Sequence, residues 1–304
     1  MDRNRSSALD DLIGGLLVAG ASLLFGAVVI LGKVASRHGI PVPSMLAVRF
    51  GVAGLTLLAG LLMARMDVRP APGERLRLLA LGGIGYAAES SLFFFGLRHG
   101  TAAAVTLLFF TYPVIVAVLS AALGMGLPGI VVGSSLVAAM AGAGLVVASS
   151  GGLDVSTAGI GFALGSAVTF SVYLVGVELS LRRTPSPVAA TWVALSAAGG
   201  LTLYALVSGQ SRLPSGEEWL PVLGMGLFTA GAFFCLFAGL RRLGAVRTAI
   251  IAALEPVATA VLALVFLHEP VRGGTAAGGL LILAASVTAS VARPRPPEAE
   301  APVP

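Results

Sequence analysis

Ten stretches of about 20 apolar residues, separated by turns of only a few residues, run from Leu12 to Val291. With 57% hydrophobic and only 11% charged residues, the chain lacks the charge that covers a soluble surface, where about a quarter of residues are charged. Its mean hydropathy of +0.96 leads to the same conclusion. The stretches therefore read as transmembrane helices, placed at about 12–35, 43–63, 76–98, 101–124, 128–149, 158–181, 186–208, 218–240, 245–267 and 273–291. The expected fold is an all-α integral membrane protein. Residues 1–11 are expected to form a polar N-terminal segment, and 292–304, rich in proline and charge, a disordered tail.

The chain repeats itself. Gly96 to Leu119 (GLRHGTAAAVTLLFFTYPVIVAVL) lies over Gly239 to Leu262 (GLRRLGAVRTAIIAALEPVATAVL) without a gap, 143 positions on, so that Pro113 falls on Pro256. Pro41 and Pro43 fall on Pro185 and Pro187, 144 positions on, and Leu24-Phe25-Gly26 on Thr169-Phe170-Ser171, 145 positions on. The register thus drifts by two residues along a repeat of five spans, 12–149 and 158–291. A unit with an odd number of spans must insert its second copy upside down relative to the first. Counting Lys and Arg at the span ends places thirteen on the side of Arg3, Arg65, Arg182 and Arg241 and five on the side of Lys33, Arg98, Arg212 and Arg272. Positive loops stay inside, so both termini are expected in the cytoplasm.

Several function classes are disfavoured. The arginines sit in turns and form no basic stripe, so nucleic acid is not an expected partner despite a net charge of +5. The single cysteine, Cys235, lies within a span and permits no disulfide framework. His38, His99 and His268 sit near span ends, and neither HExxH nor GxSxG occurs. No metal, cofactor or catalytic residue is expected, and a membrane-embedded enzyme is the minor alternative. The expected partners are a small-molecule substrate and the lipid bilayer, with the chain acting as a monomer.

The Phe25-Gly26 pattern, the Arg49-Phe50 pair and the stretch GLRRLGA…LEPVATAVLALVFLHEP…GGLLILAASV resemble the EamA repeats of the drug/metabolite transporter superfamily. Within it, the ten-helix layout is similar to bacterial amino-acid and metabolite exporters of the YddG-like kind. The first repeat departs from the pattern in having Gly126-Leu127 where the second has Glu269-Pro270. The resemblance implies two inverted five-helix repeats around a central cavity and export of small organic solutes from a bacterial cytoplasm.

Polar groups within spans are costly, so they mark candidate sites. Tyr86, Glu89 and Ser90 share one helical face of the third span, where Glu89 can hold the ammonium of an amino acid or make a helix-to-helix hydrogen bond. Tyr112-Pro113 and Glu255-Pro256 form a repeat-related pair near span centres. Each proline removes a backbone donor and leaves a carbonyl, of Phe109 or Ala252, for a wet cavity or a partner side chain; simple helix curvature is the other reading. Arg49 can attract a carboxylate or neutralise Glu89 or Glu255. Tyr173 and Trp192 are candidate pocket walls, whereas Tyr204 and Trp219 read as interface anchors. Lys33 and Glu178, at matching span ends, are expected to snorkel. The pairs Gly96 and Gly100, Gly129 and Gly133, Gly161 and Gly165, and Gly274 and Gly278 suit close helix packing. The expected function is alternating-access export of amino acids, aromatic or apolar ones included, with drug efflux as the alternative.

Overall fold

The computed structural model describes residues 2–36, 38–100, 102–126, 128–149, 155–180, 183–267 and 273–291. Glu269-Pro270 and the tail from 292 fall outside them. Among the described residues there is no β-strand, only an isolated bridge between Gly100 and Val155. The helices are α1 (Asp2–Ser36), α2 (Val42–Met63), α3 (Arg75–Ala80), α4 (Ala87–Arg98), α5 (Ala102–Phe109), α6 (Tyr112–Ala122), α7 (Ile130–Ser149), α8 (Thr157–Ser180), α9 (Ser186–Val207), α10 (Trp219–Ala252), α11 (Glu255–Leu267) and α12 (Gly273–Val291). Six helical stretches among the described residues are long and apolar enough to cross a membrane, accompanied by shorter apolar helices. Leucines such as Leu16, Leu62, Leu206 and Leu220 point outward, an arrangement suited to lipid.

The repeat is visible in the local backbone. Pro41 precedes α2 at φ −58°, ψ 134°, and Pro185 precedes α9 at φ −58°, ψ 141°. Each proline fixes an extended entry, and a second proline inside the first turn needs no donor there. Both helices end in the same C-terminal cap. Arg65 and Met66 donate to the carbonyls of Leu62 and Leu61, as Gly209 and Gln210 do to those of Leu206 and Ala205. The cap needs a left-handed residue. The second repeat supplies Gly209 at φ 66°, whereas the first forces Arg65 to φ 51°.

One step in the register drift has a structural cause. Between α3 and α4 the third span makes a π-helical turn, Leu81–Tyr86. A wider turn of this kind absorbs one extra residue without ending the helix. Repeat mates are 144 positions apart before it, as at Pro41 and Pro185, and 143 after it, as at Gly96 and Gly239. The turn nests against α9, where a Cβ on Gly82 would come within 2.4 Å of the Val193 carbonyl oxygen and one on Gly200 within 2.2 Å of that of Gly83.

Helices pack as the repeat requires: α1 lies along α10 and α4 along α8, while α2 pairs with its mate α9 and α7 with its mate α12. Without a hydrophobic drive between helices in lipid, close fit carries the association. Of the small-residue pairs, Gly96, Gly100, Gly165 and Gly274 meet other side chains or backbone, but Gly129, Gly133 and Gly161 have nothing within 4 Å and do not bring helices together.

The two repeats are inverted. Near the start of α1, Asp10 faces Arg242 at 3.8 Å, and near its end Gly32 faces Met225 and Phe94. Arg98 and its mate Arg241 therefore lie at opposite ends of the bundle.

Candidate solute site

Two broken helices build the centre. The fourth span stops at Phe109 and restarts at Tyr112; the ninth stops at Ala252 and restarts at Glu255, 143 positions later in both cases. Pro113 and Pro256 occupy the second position of the new helices, where a missing N–H costs nothing. The eighth and ninth spans, expected as separate helices, run together within α10 and are divided only by Gly244, whose φ of 76° and ψ of 170° are not helical. Around the ninth-span break the freed carbonyls find partners. The Tyr112 hydroxyl donates to the Ala249 oxygen at 3.3 Å and the Ser22 hydroxyl reaches that of Ala252 at 3.5 Å. Ser171 in turn donates to the Tyr112 carbonyl at 3.1 Å.

A cavity of about 420 Å³ opens beside these breaks, between α1, α2, the third and fourth spans, α8 and α10–α11. Of the sequence candidates, Arg49, Tyr86, Glu89, Ser90, Tyr112 and Glu255 all line it. Phe25, Phe93, Phe94, Phe109 and Phe170 complete an aromatic wall, and the exposed Arg98 marks the mouth. Rings meet edge to face, with Tyr86 4.9 Å from both Tyr173 and Phe233 and Tyr112 4.8 Å from Phe170.

The charged groups differ in how they are held. Glu89, buried on α4, accepts from the Ser90 hydroxyl at 2.9 Å and from that of Ser166 on α8 at 3.3 Å. The Nε of Arg49 donates to Thr229 at 2.7 Å while its guanidinium lies 4.7 Å over the Phe50 ring. Among the described residues, Arg49 makes no ion pair with either glutamate within 4.0 Å. Glu255 is half-buried on the cavity wall, and no hydrogen bond or ion pair to it occurs among the described residues.

Two aromatic candidates lie elsewhere. Tyr173 stands behind Tyr86, buried, with its hydroxyl unpartnered among the described residues. Trp192 does not reach the cavity, because its Nε1 donates to the Val68 carbonyl at 2.8 Å and Arg75 stacks 5.2 Å over its ring.

The profile of the EamA-like transporter family matches residues 12–148 and again 157–291, nearly the whole chain in two copies. The chain belongs to the EamA-like transporter family. It is thus a membrane transporter of the drug/metabolite superfamily. No curated protein matches it. One crystal structure, described only as "Crystal structure of protein", superposes with a TM-score of 0.77 at 22% identity, covering 91% of this chain and 98% of that one, which shows a shared fold.

At the opposite end of this EamA bundle lies a second pocket of about 300 Å³, lined by Val177, Glu178, Thr184, Ser186, Ala189, Phe237, Leu240, Arg241 and Gly244. Its residues are repeat mates of the cavity mouth: Val177 of Gly32, Ser186 of Val42, Phe237 of Phe94, Arg241 of Arg98. Polar ties cross this end. Glu74 accepts from the backbone N–H groups of Arg183 and Thr184 at 3.1 and 2.9 Å and from the Thr184 hydroxyl, and Arg241 donates to the Thr184 carbonyl at 2.8 Å. Glu178 does not snorkel: its carboxylate accepts the Ala245 N–H at 2.7 Å, capping the helix that restarts after Gly244. The side chain of its mate Lys33 lies outside the described residues. Arg247, which charge counting treats as an end marker, is buried, bonding the Ala289 carbonyl at 2.7 Å and Asp11 at 3.1 Å.

Proposed function

We propose that this transporter exports amino acids with aromatic or apolar side chains, and related metabolites, across a bacterial inner membrane by alternating access, with both termini cytoplasmic. The observation that carries the reading is one cavity holding a guanidinium, Arg49, and two carboxylates, Glu89 and Glu255, beside an aromatic wall. A zwitterion with an apolar side chain needs an anion partner, a cation partner and an apolar surface, and cavities of this kind fix orientation with a few polar groups among apolar ones. The inverted repeat supports alternation, since a mouth at one end has a mate pocket at the other. The proposed topology follows the thirteen-to-five bias of Lys and Arg.

The test is counterflow in proteoliposomes preloaded with the twenty amino acids, following labelled tracers. Saturable, exchangeable uptake is expected for phenylalanine, leucine or their kin. Silence with every amino acid, alongside export of hydrophobic toxic compounds in a resistance assay, would replace this reading with drug efflux, which the aromatic wall also suits.

A further inference from the structure

Three charged side chains, Arg49, Glu89 and Glu255, line the cavity below the mouth residue Arg98, and they are not equivalent. One oxygen of Glu89 accepts the Ser90 hydroxyl hydrogen, and the other lies within reach of the Ser166 hydroxyl, whose hydrogen it shares with the Glu89 carbonyl. Arg49 spends its Nε on Thr229 and rests its guanidinium on Phe50. The Tyr112 hydroxyl, whose residue is the repeat mate of Glu255, is committed to the Ala249 carbonyl. Glu255 faces the cavity with no hydrogen-bond or close ion-pair partner among the described residues, on a wall it shares with Ser22, Phe25, Phe109 and Tyr112. An acidic group within a membrane span that finds no partner in the protein marks a place for a ligand or ion. Aromatic side chains share that wall, and an aromatic ring can attract a cation over its face.

From this juxtaposition we infer that Glu255, rather than Glu89, is the ammonium-recognition group, and that the solutes selected are primary amines carrying an apolar or aromatic body, with or without a carboxylate. Below the mouth, where the exposed Arg98 stands, the cavity sets two carboxylates, Glu89 and Glu255, against the single guanidinium of Arg49. An amine that has lost its carboxylate therefore suits the site at least as well as the parent amino acid, whereas a deaminated acid meets an unanswered carboxylate. The inference rests on the reading of this cavity as the transport site and assigns the selectivity within it.

The experiment compares three labelled tracers in proteoliposomes: phenylalanine, phenethylamine and 3-phenylpropanoate. The wild-type protein is expected to take up the first two and to discriminate against the third by at least tenfold. Glu255→Gln is expected to lose at least tenfold in uptake of both amines, with Glu255→Asp retaining part of it, while Glu89→Gln loses less. Phenethylamine is expected to raise the melting temperature of the purified wild-type protein and not that of Glu255→Gln, which shows in the same measurement whether the variant is folded. Uptake of phenethylamine alone sustains the inference and removes the amino-acid reading. Uptake of phenylalanine that survives Glu255→Gln sustains the amino-acid reading and overturns the inference. Equal uptake of 3-phenylpropanoate and phenethylamine by the wild type also overturns it, independently of any variant, and silence with all three overturns both.

Discussion

The two ends of the bundle are built from the same repeat and yet are held differently. At the Arg241 end, Glu74 gathers the turn between α8 and α9 through Arg183 and Thr184, and Arg241 adds a bond to the Thr184 carbonyl. At the Arg98 end the mate of Glu74 is Glu218, which turns to Arg212 at 2.7 Å and to Ser215 within its own loop. Thr184 corresponds to Ile40, which has no hydroxyl to offer. Arg98 is exposed and has no hydrogen-bond partner among the described residues. The Glu74 tie goes with the small pocket; at the Arg98 end, beside the wide cavity, the cross-chain bonds run elsewhere, from Ser44 to the Gln210 and Arg212 backbone and from Ser156 to the His99 carbonyl, so the repeats differ in which turns they tie together.

Removing the tie should have the largest effect. Glu74→Ala strips the acceptor from three donors and is expected to lower stability by about 2–3 kcal/mol, at about 1 kcal/mol for each bond. It should also raise thiol labelling of Ala189→Cys, in the small pocket, in a Cys235→Ser background; unchanged labelling and melting temperature would break the comparison. Glu178→Ala leaves the Ala245 N–H without its acceptor, and a loss of about 1–2 kcal/mol is expected from thermal unfolding in detergent. Arg65→Gly should act in the opposite direction, stabilising by about 1 kcal/mol, because glycine carries no penalty in the left-handed cap that its mate Gly209 already occupies. A fall in melting temperature would show that the Arg65 side chain matters more than its backbone. Glu218→Gln is expected to leave both stability and labelling at the small pocket unchanged, since its bond to Arg212 stays within one loop on the Arg98 side.

Much of this was legible from sequence because its physical basis is periodic or local. Span length follows from bilayer thickness, the Pro41 and Pro185 entries from fixed proline φ, and the helix breaks from Pro113 and Pro256. The wall residues Tyr86, Glu89, Tyr112 and Glu255 stand out because polar groups are expensive within apolar spans. What hydropathy does not reveal is partnership across the chain. Glu178 looks like a snorkelling span-end residue because the N–H it caps belongs to Ala245, 67 residues away. Trp192 looks deep enough for a pocket, yet the Val68 carbonyl that claims its indole lies in a loop of no distinctive composition. Ser166 and Ser171 resemble ordinary small residues until α4 and α6 are packed beside α8. The π turn did leave a sequence trace: the one-residue change in repeat register between Pro41 and Gly96.

That extra residue also bears on energetics. Two halves related by perfect two-fold symmetry would give a carrier two equivalent resting states, facing opposite sides, of equal free energy and populated one to one. An insertion in only one half removes the degeneracy. In a carrier that alternates as proposed, closing the Arg98 end would not reproduce the packing at the Arg241 end, so the two empty states would differ in free energy and the two directions of transport would start from unequal populations.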